Sequence, residues 1–249
     1  MSIKKILISQ PKPESGKSPY FDIAARHDAE ATFRPFIVVE SVSSREFRDQ
    51  KVNILDHTAI VFTSRIAMEH FFKLAEELRV SLSEDMKYFC INEQVAHYLQ
   101  KFIVYRKRKV FYPEAGGQTE LVALMHKHAK EHYFLPVAED HKADLIELLE
   151  AKKLQYSKAV MYRTVSAEFS PEEKAERYDM IIFFSPAGVT SLLHNLPDFE
   201  QGKTVLAAFG PATTAAVEQA GLRLDLAAPT PGAPSMAMVL DQYLGQVNK

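Results

Sequence analysis

Short apolar runs alternate along the whole chain with longer stretches in which apolar residues recur every three or four positions. The runs are typical of buried strands and lie at 6–9, 36–39, 59–63, 88–91, 110–112, 133–136, 158–165, 180–184, 205–209 and 224–226. The stretches predict helices at 20–30, 44–55, 67–78, 94–101, 119–132, 142–152, 187–196, 212–220 and 235–244. Continuous apolar strands between helices indicate parallel sheets covered on both faces, and hence the α/β class.

A weak internal repeat suggests how these elements are organised. Three segments of the first half are similar, in the same order, to three of the second: 60–64 and 181–185, 89–93 and 207–211, 112–117 and 228–232. One such match could arise because all βα units look alike, but the ordered series favours two related α/β domains of about half the chain each. A strand–helix–strand piece precedes each copy, and spacing alone leaves open which sheet each piece joins.

Composition and charge narrow the classes of protein. The 249 residues are 47% hydrophobic and 25% charged, with 30 basic and 32 acidic side chains, so neither a disordered chain nor a nucleic-acid partner is favoured. One cysteine, Cys90, excludes an internal disulfide and a multi-cysteine metal site. The apolar run at the N-terminus is too short for a signal peptide, and no run reaches the length of a membrane span. We therefore expect a soluble cytoplasmic protein without membrane partners.

Three predicted turns between a strand and a helix carry small or hydroxylated residues, at 63–65, 185–188 and 209–214. Ligands of open α/β sheets bind at the carboxyl ends of strands, where the free N–H groups of helix N-termini attract anions. Simple helix capping would explain any one turn. Three together favour an anion-binding cleft, although none is a GxxxxGK[ST] or GxGxxG motif.

Two other clusters have ordinary explanations. The basic run 106–109 is typical of a solvated edge, although it could also steer an acidic substrate. Four histidines, His126, His128, His132 and His141, resemble a metal cluster in the sequence. The first two are two positions apart on a predicted helix and so do not share a face, and we therefore predict no metal site.

Several short motifs resemble those of one family. The motifs are 62–64, V-x-Y-x-T within 160–165, F-x-S-P-x-x-V at 183–189, A-x-G-P-x-T within 207–216, and the G-L and P-T elements at 220–222 and 228–231. They resemble the motifs of the uroporphyrinogen-III synthase family. The order of elements agrees over the whole chain, and the resemblance is specific from about Val160 onwards.

The resemblance implies a fold and a domain division. Members of this family resemble two flavodoxin-like parallel-sheet domains joined by a two-stranded linker. One domain is discontinuous, which on this chain implies 1–37 with 168–249. The other would be 42–160, with linkers near 38–41 and 161–167.

The resemblance also implies an activity, that of a lyase in tetrapyrrole (haem) biosynthesis. Family members cyclise hydroxymethylbilane, a linear tetrapyrrole with many carboxylates, to uroporphyrinogen III with loss of water and inversion of ring D. They use no cofactor or metal, and we expect a monomer. Tyr162 is the family-matched catalytic candidate, which would protonate or hydrogen-bond the leaving hydroxyl. The N–H groups and hydroxyls of Thr63, Ser64, Ser185, Gly188, Ala212 and Thr213 would hold substrate carboxylates, and Lys142 and Pro186 would also bind the substrate. Lys142 stands where the family often has Arg, next to His141, and either residue could face the cleft.

One turn departs from the family pattern. The family often has G-x-x-T where this chain has Asn92-Glu93-Gln94-Val95, and Glu93 would repel a carboxylate. We therefore doubt that this turn binds an anion.

The alternative function is a two-lobed small-molecule-binding or sensory protein without catalysis.

Overall fold

The computed structural model describes residues 2–248, so Met1 and Lys249, the outermost residues of the predicted discontinuous domain, lie outside it. The described strands are β1 (Lys5–Ile8), β2 (Glu30–Phe33), β3 (Ile37–Ser41), β4 (Ala59–Phe62), β5 (Lys87–Cys90), β6 (Val110–Phe111), β7 (Tyr133–Ala138), β8 (Tyr156–Ser166), β9 (Met180–Phe183), β10 (Val205–Phe209) and β11 (Leu226–Ala228). The described helices are α1 (Pro19–Arg26), α2 (Ser44–Asp49), α3 (Arg65–Glu77), α4 (Glu93–Tyr98), α5 (Gln118–His126), α6 (Asp144–Ala151), α7 (Pro171–Ala175), α8 (Pro186–Asn195), α9 (Pro211–Gln219) and α10 (Met236–Val247).

The chain divides into two compact units. Unit 1 consists of Met1–Val38 with Val165–Lys249, and unit 2 of Val39–Thr164. The two boundaries fall within β3 and β8, which are neighbours in one sheet. Each unit is built around its own sheet, and the α/β class predicted from the apolar runs is confirmed.

The sheet of unit 1 has the strand order β11-β10-β9-β1-β2, and all its neighbours are parallel. When the five strands are renumbered 1 to 5 along the chain and the sheet is followed from β2 to β11, the order is 2-1-3-4-5. This is the strand order of flavodoxin-like folds. The N-terminal strand β1 lies between β2 and β9, so the unit needs both ends of the chain to complete its sheet.

The sheet of unit 2 has the strand order β3-β8-β7-β4-β5-β6, in which β8 to β6 are parallel. When β7, β8, β4, β5 and β6 are renumbered 1 to 5 in that sequence, their spatial order in the sheet is again 2-1-3-4-5. Unit 2 is therefore a circular permutant of the same sheet, with β3 added beside β8 at the edge.

Both faces of each sheet are covered by apolar clusters. In unit 1, Ile6 and Ile8 of β1 lie in one cluster, and Leu7 lies in the cluster on the opposite face. In unit 2, Phe62 and Val61 of β4 are separated in the same way. Because side chains alternate between the faces of a strand, a sheet covered on both sides requires continuous apolar runs.

The region predicted as one helix at 20–30 contains a shorter helix and the start of a strand that was not predicted. The predicted helix 20–30 was wrong at its end, because α1 stops at Arg26 and Glu30 begins β2. Asp28, between them, has a φ of 53°, a left-handed conformation that cannot continue a helix. β2 lies at the sheet edge and is only partly buried, so it lacks the apolar run that marks the central strands.

Two predicted helices were too long and one helix was missed. α2 ends at Asp49 rather than at residue 55, because Lys51 has a φ of 56° and the chain turns there. α5 ends at His126 rather than at residue 132. The unpredicted α7 has only five residues, and its capping box between Ser170 and Glu173 is a local signal that apolar periodicity does not detect.

Within residues 2–248, no helix is both long and apolar enough to cross a membrane.

Candidate functional site

The carboxyl ends of parallel strands meet at one edge of each sheet, and ligands bind where the strand order reverses. In unit 1 this switch point lies between β1 and β9, and in unit 2 it lies between β7 and β4. The turns that follow these strands begin at Ser9, Phe184, Thr63 and Glu139.

A cavity of about 220 Å³ lies at the switch point of unit 2. Three residues predicted from the sequence line it: Thr63 after β4, Lys142 before α6, and Tyr162 on β8. Gln118 and His141 add further polar groups. Its apolar walls come from Val61, Leu135, Val137, Leu145 and Ile146. The cavity therefore combines a phenol, a hydroxyl and a cation with apolar walls, which is typical of a small-molecule site.

An irregularity in β8 sets the position of Tyr162. The register between β7 and β8 shifts after Val137, so that Ala138 pairs with Tyr162 and Met161 is the extra residue. Such a bulge re-aims the side chains that follow it. The Tyr162 carbonyl accepts a hydrogen bond of 2.9 Å from the Glu139 N–H, which fixes the backbone at this point.

Residues beside Tyr162 also brace the strand. The side-chain amide of Gln50 donates to the Val160 carbonyl at 2.9 Å and accepts from the Val160 N–H at 2.7 Å, so it takes the place of a neighbouring strand. Arg163 is paired with Glu46 and, at 3.7 Å, with Glu139. The hydrogen bond from Arg163 and that from the Ser43 N–H lower the pKa of Glu46 to about 2, so this carboxylate is ionised at neutral pH.

Ser64 caps α3 at the mouth of the same switch point. Its Oγ accepts a hydrogen bond of 3.0 Å from the Ala67 N–H, while the half-buried Thr63 lies one residue before it. The cap occupies the oxygen of Ser64 as an acceptor and leaves its hydroxyl hydrogen able to donate. Helix capping and binding of an anion are therefore compatible at this residue.

Lys158, which forms a hydrogen bond with the cavity residue His141, was not among the predicted site residues. His141 Nδ1 donates to the Ala138 carbonyl at 2.8 Å, and its Nε2 accepts a hydrogen bond of 2.9 Å from the Lys158 ammonium. Lys158 is thus hydrogen-bonded to His141, which lines the cavity together with the exposed Lys142. No motif marks Lys158, because its place depends on the pairing of β7 with β8.

The turn after β9 carries three predicted residues of unit 1. Ser185 caps α8: its Oγ accepts from the Gly188 N–H at 3.2 Å, and the Ser185 carbonyl accepts from the same N–H at 3.1 Å. Gly188 is buried, and a Cβ there would lie 3.6 Å from Ser185 Oγ and 3.7 Å from Ser9 Oγ. Pro186 is exposed at the first helical position, where its missing N–H costs nothing. Gly188 thus has no free N–H, and the available groups of this turn are the Ser185 hydroxyl and the Pro186 ring.

The turn after β10 leaves its helix without a side-chain cap. Gly210 precedes α9 with a φ of 88°, a conformation that favours glycine, and Pro211 occupies the first helical position. The predicted Ala212 is exposed, whereas the side chain of Thr213 is buried. Ala212 and Thr213 can therefore present backbone N–H groups at this turn.

Aromatic side chains form an apolar surface at the same edge of unit 1, and they were not among the predicted site residues. Phe184 lies 6.1 Å from Phe209 and 6.2 Å from Tyr20, measured between ring centroids. Phe209 is 37% exposed, which is unusual for the end of a central strand. Burial raises the pKa of Tyr20 to about 12, so its phenol stays protonated. Such a surface suits flat, partly apolar rings.

The turn at 92–95 has the local structure of a cap. Asn92 Oδ1 accepts a hydrogen bond of 2.9 Å from the Val95 N–H, and Val95 is buried. The exposed Glu93 lies 3.9 Å from His97 and accepts from the Tyr112 hydroxyl at 3.3 Å. A carboxylate at the start of α4 agrees with our doubt that this turn binds an anion.

Cys90 is buried, and two of the four clustered histidines pack against other rings. Cys90 is buried at the end of β5, and burial raises the pKa of its thiol to about 12, which leaves no nucleophilic thiolate. His128 packs against Phe111 at 4.5 Å, and His132 packs against His57 at 4.3 Å. In the part of the chain from 2 to 248, no three metal-ligating side chains come together.

Each unit thus has a flavodoxin-like sheet with hydroxylated turns at the carboxyl ends of its strands. Unit 2 has a cavity at this edge, and unit 1 has an aromatic surface. These features are typical of two-unit α/β proteins that bind ligands at strand ends. Within this class, a family model described as uroporphyrinogen-III synthase HemD matches residues 20–238. The chain therefore belongs to the uroporphyrinogen-III synthase family, as its motifs predicted.

Solved structures of the family have a similar fold. The uroporphyrinogen-III synthetase of Helicobacter pylori is 17% identical, with a TM-score of 0.58, and the match covers 98% of this chain and 100% of that one. A mutant uroporphyrinogen III synthase of the extremely thermophilic bacterium Thermus thermophilus is 13% identical, with a TM-score of 0.47 and 98% of each chain covered. The Helicobacter structure confirms the two-domain fold class. No curated protein matches this chain by sequence.

Proposed function

We propose that this chain is a lyase that cyclises hydroxymethylbilane to uroporphyrinogen III, acting as a monomer in the cytoplasm. Membership of the family supports the reaction, and the cavity of unit 2 supports the site. Thr63, Lys142 and Tyr162 are far apart in sequence, yet all three line this one cavity. That convergence is the single observation that carries the proposal.

Tyr162 is proposed to act on the leaving hydroxyl of ring A. Its phenol would donate a proton as the C–O bond breaks, so that water leaves and a cationic azafulvene remains. The pyrrole nitrogen of the substrate supplies the electron pair, and no protein nucleophile is required. The apolar walls formed by Val61, Leu135 and Leu145 would limit water at this step, which strengthens each hydrogen bond.

The groups around Tyr162 are proposed to hold carboxylates. Lys142 and the Lys158 ammonium would attract them by charge, and the Thr63 and Ser64 hydroxyls would donate hydrogen bonds. These contacts position the substrate, so that ring D attacks through its substituted carbon, passes through a spiro intermediate and recloses inverted.

The edge of unit 1 is proposed to bind carboxylates and pyrroles in a complementary way. The Ser185 hydroxyl and the N–H groups of Ala212 and Thr213 would meet carboxylates. Pro186 would lie against the substrate, with Phe209 as an apolar neighbour at the same edge. For Gly188 we propose a spacing role, because its N–H already donates to Ser185.

Replacing Tyr162 tests the proposal. Tyr162→Phe removes the phenol proton and keeps the ring, so we expect the rate of type III formation to fall by about 100-fold, the low end for general acid catalysis. The assay supplies hydroxymethylbilane in situ and separates the uroporphyrinogen isomers. Tyr156→Phe is the matched control, because Tyr156 begins the same strand and its hydroxyl donates to Glu150 at the surface.

Two outcomes would contradict the proposal. Full activity of Tyr162→Phe would remove this residue from the reaction. Binding of the bilane without any type III product, in the unmodified protein, would instead favour a binding or sensory protein.

A further inference from the structure

Tyr162 lies against a histidine that no motif marks. His70, in the second turn of α3, stacks on the Tyr162 ring with centroids 5.0 Å apart and planes 16° apart. Both side chains are only half-buried. A histidine is a poor choice for filling apolar space, so close packing alone does not explain why an imidazole lies here.

A third residue fixes the imidazole. A hydrogen bond of 2.7 Å joins Ser41 Oγ, at the end of β3, to His70 Nδ1. Three elements of unit 2 thus form a chain from Ser41 through His70 to Tyr162. Burial and the nearby Lys73 lower the pKa of His70, while Glu69 raises it, and the net result keeps the ring neutral at pH 7.

Packing orients the Tyr162 side chain, which lies against His70 and against the apolar cluster on one face of the unit 2 sheet. Among residues 2–248, the hydroxyl of Tyr162 has no hydrogen-bond partner, although its backbone carbonyl is held by Glu139. An unheld phenol would rotate about its side-chain torsions, and even a displacement of about 1 Å can cost about 100-fold in rate. The stack restricts that rotation and leaves the hydroxyl free for the substrate.

We propose that His70, anchored by Ser41, is a positioning residue that holds the Tyr162 ring for the leaving-group step. The inference rests on the proposed function, in which the Tyr162 hydroxyl is the acid. His70 acts through Tyr162 and does not touch the substrate. α3 then contributes to the site at two points. Its N-cap residue Ser64 directly follows Thr63, which lines the cavity, and its second turn carries His70.

A double-mutant cycle tests the proposal in the full-length protein. We expect His70→Ala to lower kcat for type III formation about tenfold with KM nearly unchanged, because positioning of an acid affects the chemical step. In a Tyr162→Phe background, His70→Ala should have no further effect on kcat, since the group that it positions is already gone.

Three further variants make the result specific. His70→Phe keeps a planar ring against Tyr162 but loses the hydrogen bond to Ser41, so it should lower kcat only by the small factor expected for loss of the anchor. Ser41→Ala removes only the anchor and should lower kcat by a smaller factor, which again disappears in Tyr162→Phe. His126→Ala, an exposed histidine on α5, is the matched control and should behave as the unmodified protein. Thermal unfolding of each variant excludes loss of the fold.

The outcomes are distinguishable. Full activity of Tyr162→Phe would mean that the proposed role of the acid has failed. A large loss in Tyr162→Phe, together with the same loss from His70→Ala in both backgrounds, would overturn only the positioning role. Unchanged activity of His70→Ala, or a His70→Phe variant as impaired as His70→Ala, would also overturn it. If His70→Ala does not fold, the Ser41→Ala cycle decides by the same criteria.

Discussion

At the scale of single residues, the environment of His57 disfavours its protonated form. It is 5% exposed, and its Nδ1 donates to the Asn53 carbonyl at 2.9 Å. Its Nε2 is buried and has no hydrogen-bond partner among residues 2–248. Burial and the adjacent His132 therefore lower the pKa of His57, against smaller opposing effects of the hydrogen bonds to the Ile54 and Asn53 carbonyls and of Asp56.

The sign of the resulting pH dependence follows from linkage. The unfolded state has the ordinary histidine pKa of about 6.5 and binds a proton more readily than the folded state. The free energy of unfolding should therefore fall as the pH drops below about 6.5, by at most about 1.4 kcal/mol per pH unit for one proton. Urea unfolding at pH 7.5 and pH 5.0 measures this loss.

The matched variant is His57→Asn, whose amide can replace the Nδ1 donor but does not titrate. We expect a smaller loss of stability between the two pH values than in the unmodified protein. An equal loss in both proteins would show that other groups cause the acid sensitivity.

At the scale of elements, the N-terminus of α3 combines two roles that substitutions can separate. Ser64→Ala leaves the Ala67 N–H without its acceptor and should cost about 1 kcal/mol of stability. Ser64→Asp restores a cap and places a negative charge at a helix N-terminus, so the stability should return. The new carboxylate should nevertheless repel substrate carboxylates and raise KM about fivefold, as expected for about 1 kcal/mol between exposed like charges.

Asn92→Asp, at the N-cap of α4, is the control for this prediction. Asn92 caps its helix as Ser64 does, but we do not expect its turn to bind the substrate. Denaturant midpoints and KM values should therefore stay close to those of the unmodified protein. A Ser64→Asp variant with an unchanged KM would mean that substrate carboxylates do not approach α3.

The elements also show how far sequence reasoning reaches. Continuous apolar runs identified the central strands, because both faces of each sheet are covered, but the edge strand β2 carries no such run and was missed. The predictions of Thr63 and Tyr162 came from strand-end and family motifs. That these residues share one cavity depends on the permuted strand order of unit 2, which no local pattern encodes. Lys158 and His70 were missed for the same reason.

At the scale of the whole molecule, the strand orders predict which parts of the chain fold alone. Residues 39–164 hold a complete parallel sheet and should unfold cooperatively as a separate fragment. Residues 165–249 lack β1 and β2, and also lose the hydrogen bonds that tie Asn248 to Ile3 and His27. This second fragment should stay unfolded until residues 1–38 are added.

Circular dichroism with urea titration of the separate fragments checks this prediction. Cooperative unfolding of 165–249 on its own would contradict it, as would the absence of a transition in 39–164.

The central claim is that this chain inverts ring D while it closes the tetrapyrrole. The most direct measurement is the isomer composition of the product formed when the purified protein receives hydroxymethylbilane. Because the free bilane closes unaided to the uninverted isomer, only an active protein changes the composition. We predict mainly uroporphyrinogen III, in a proportion that rises with the concentration of the protein. Formation of the type I isomer alone, at every protein concentration, would contradict the account.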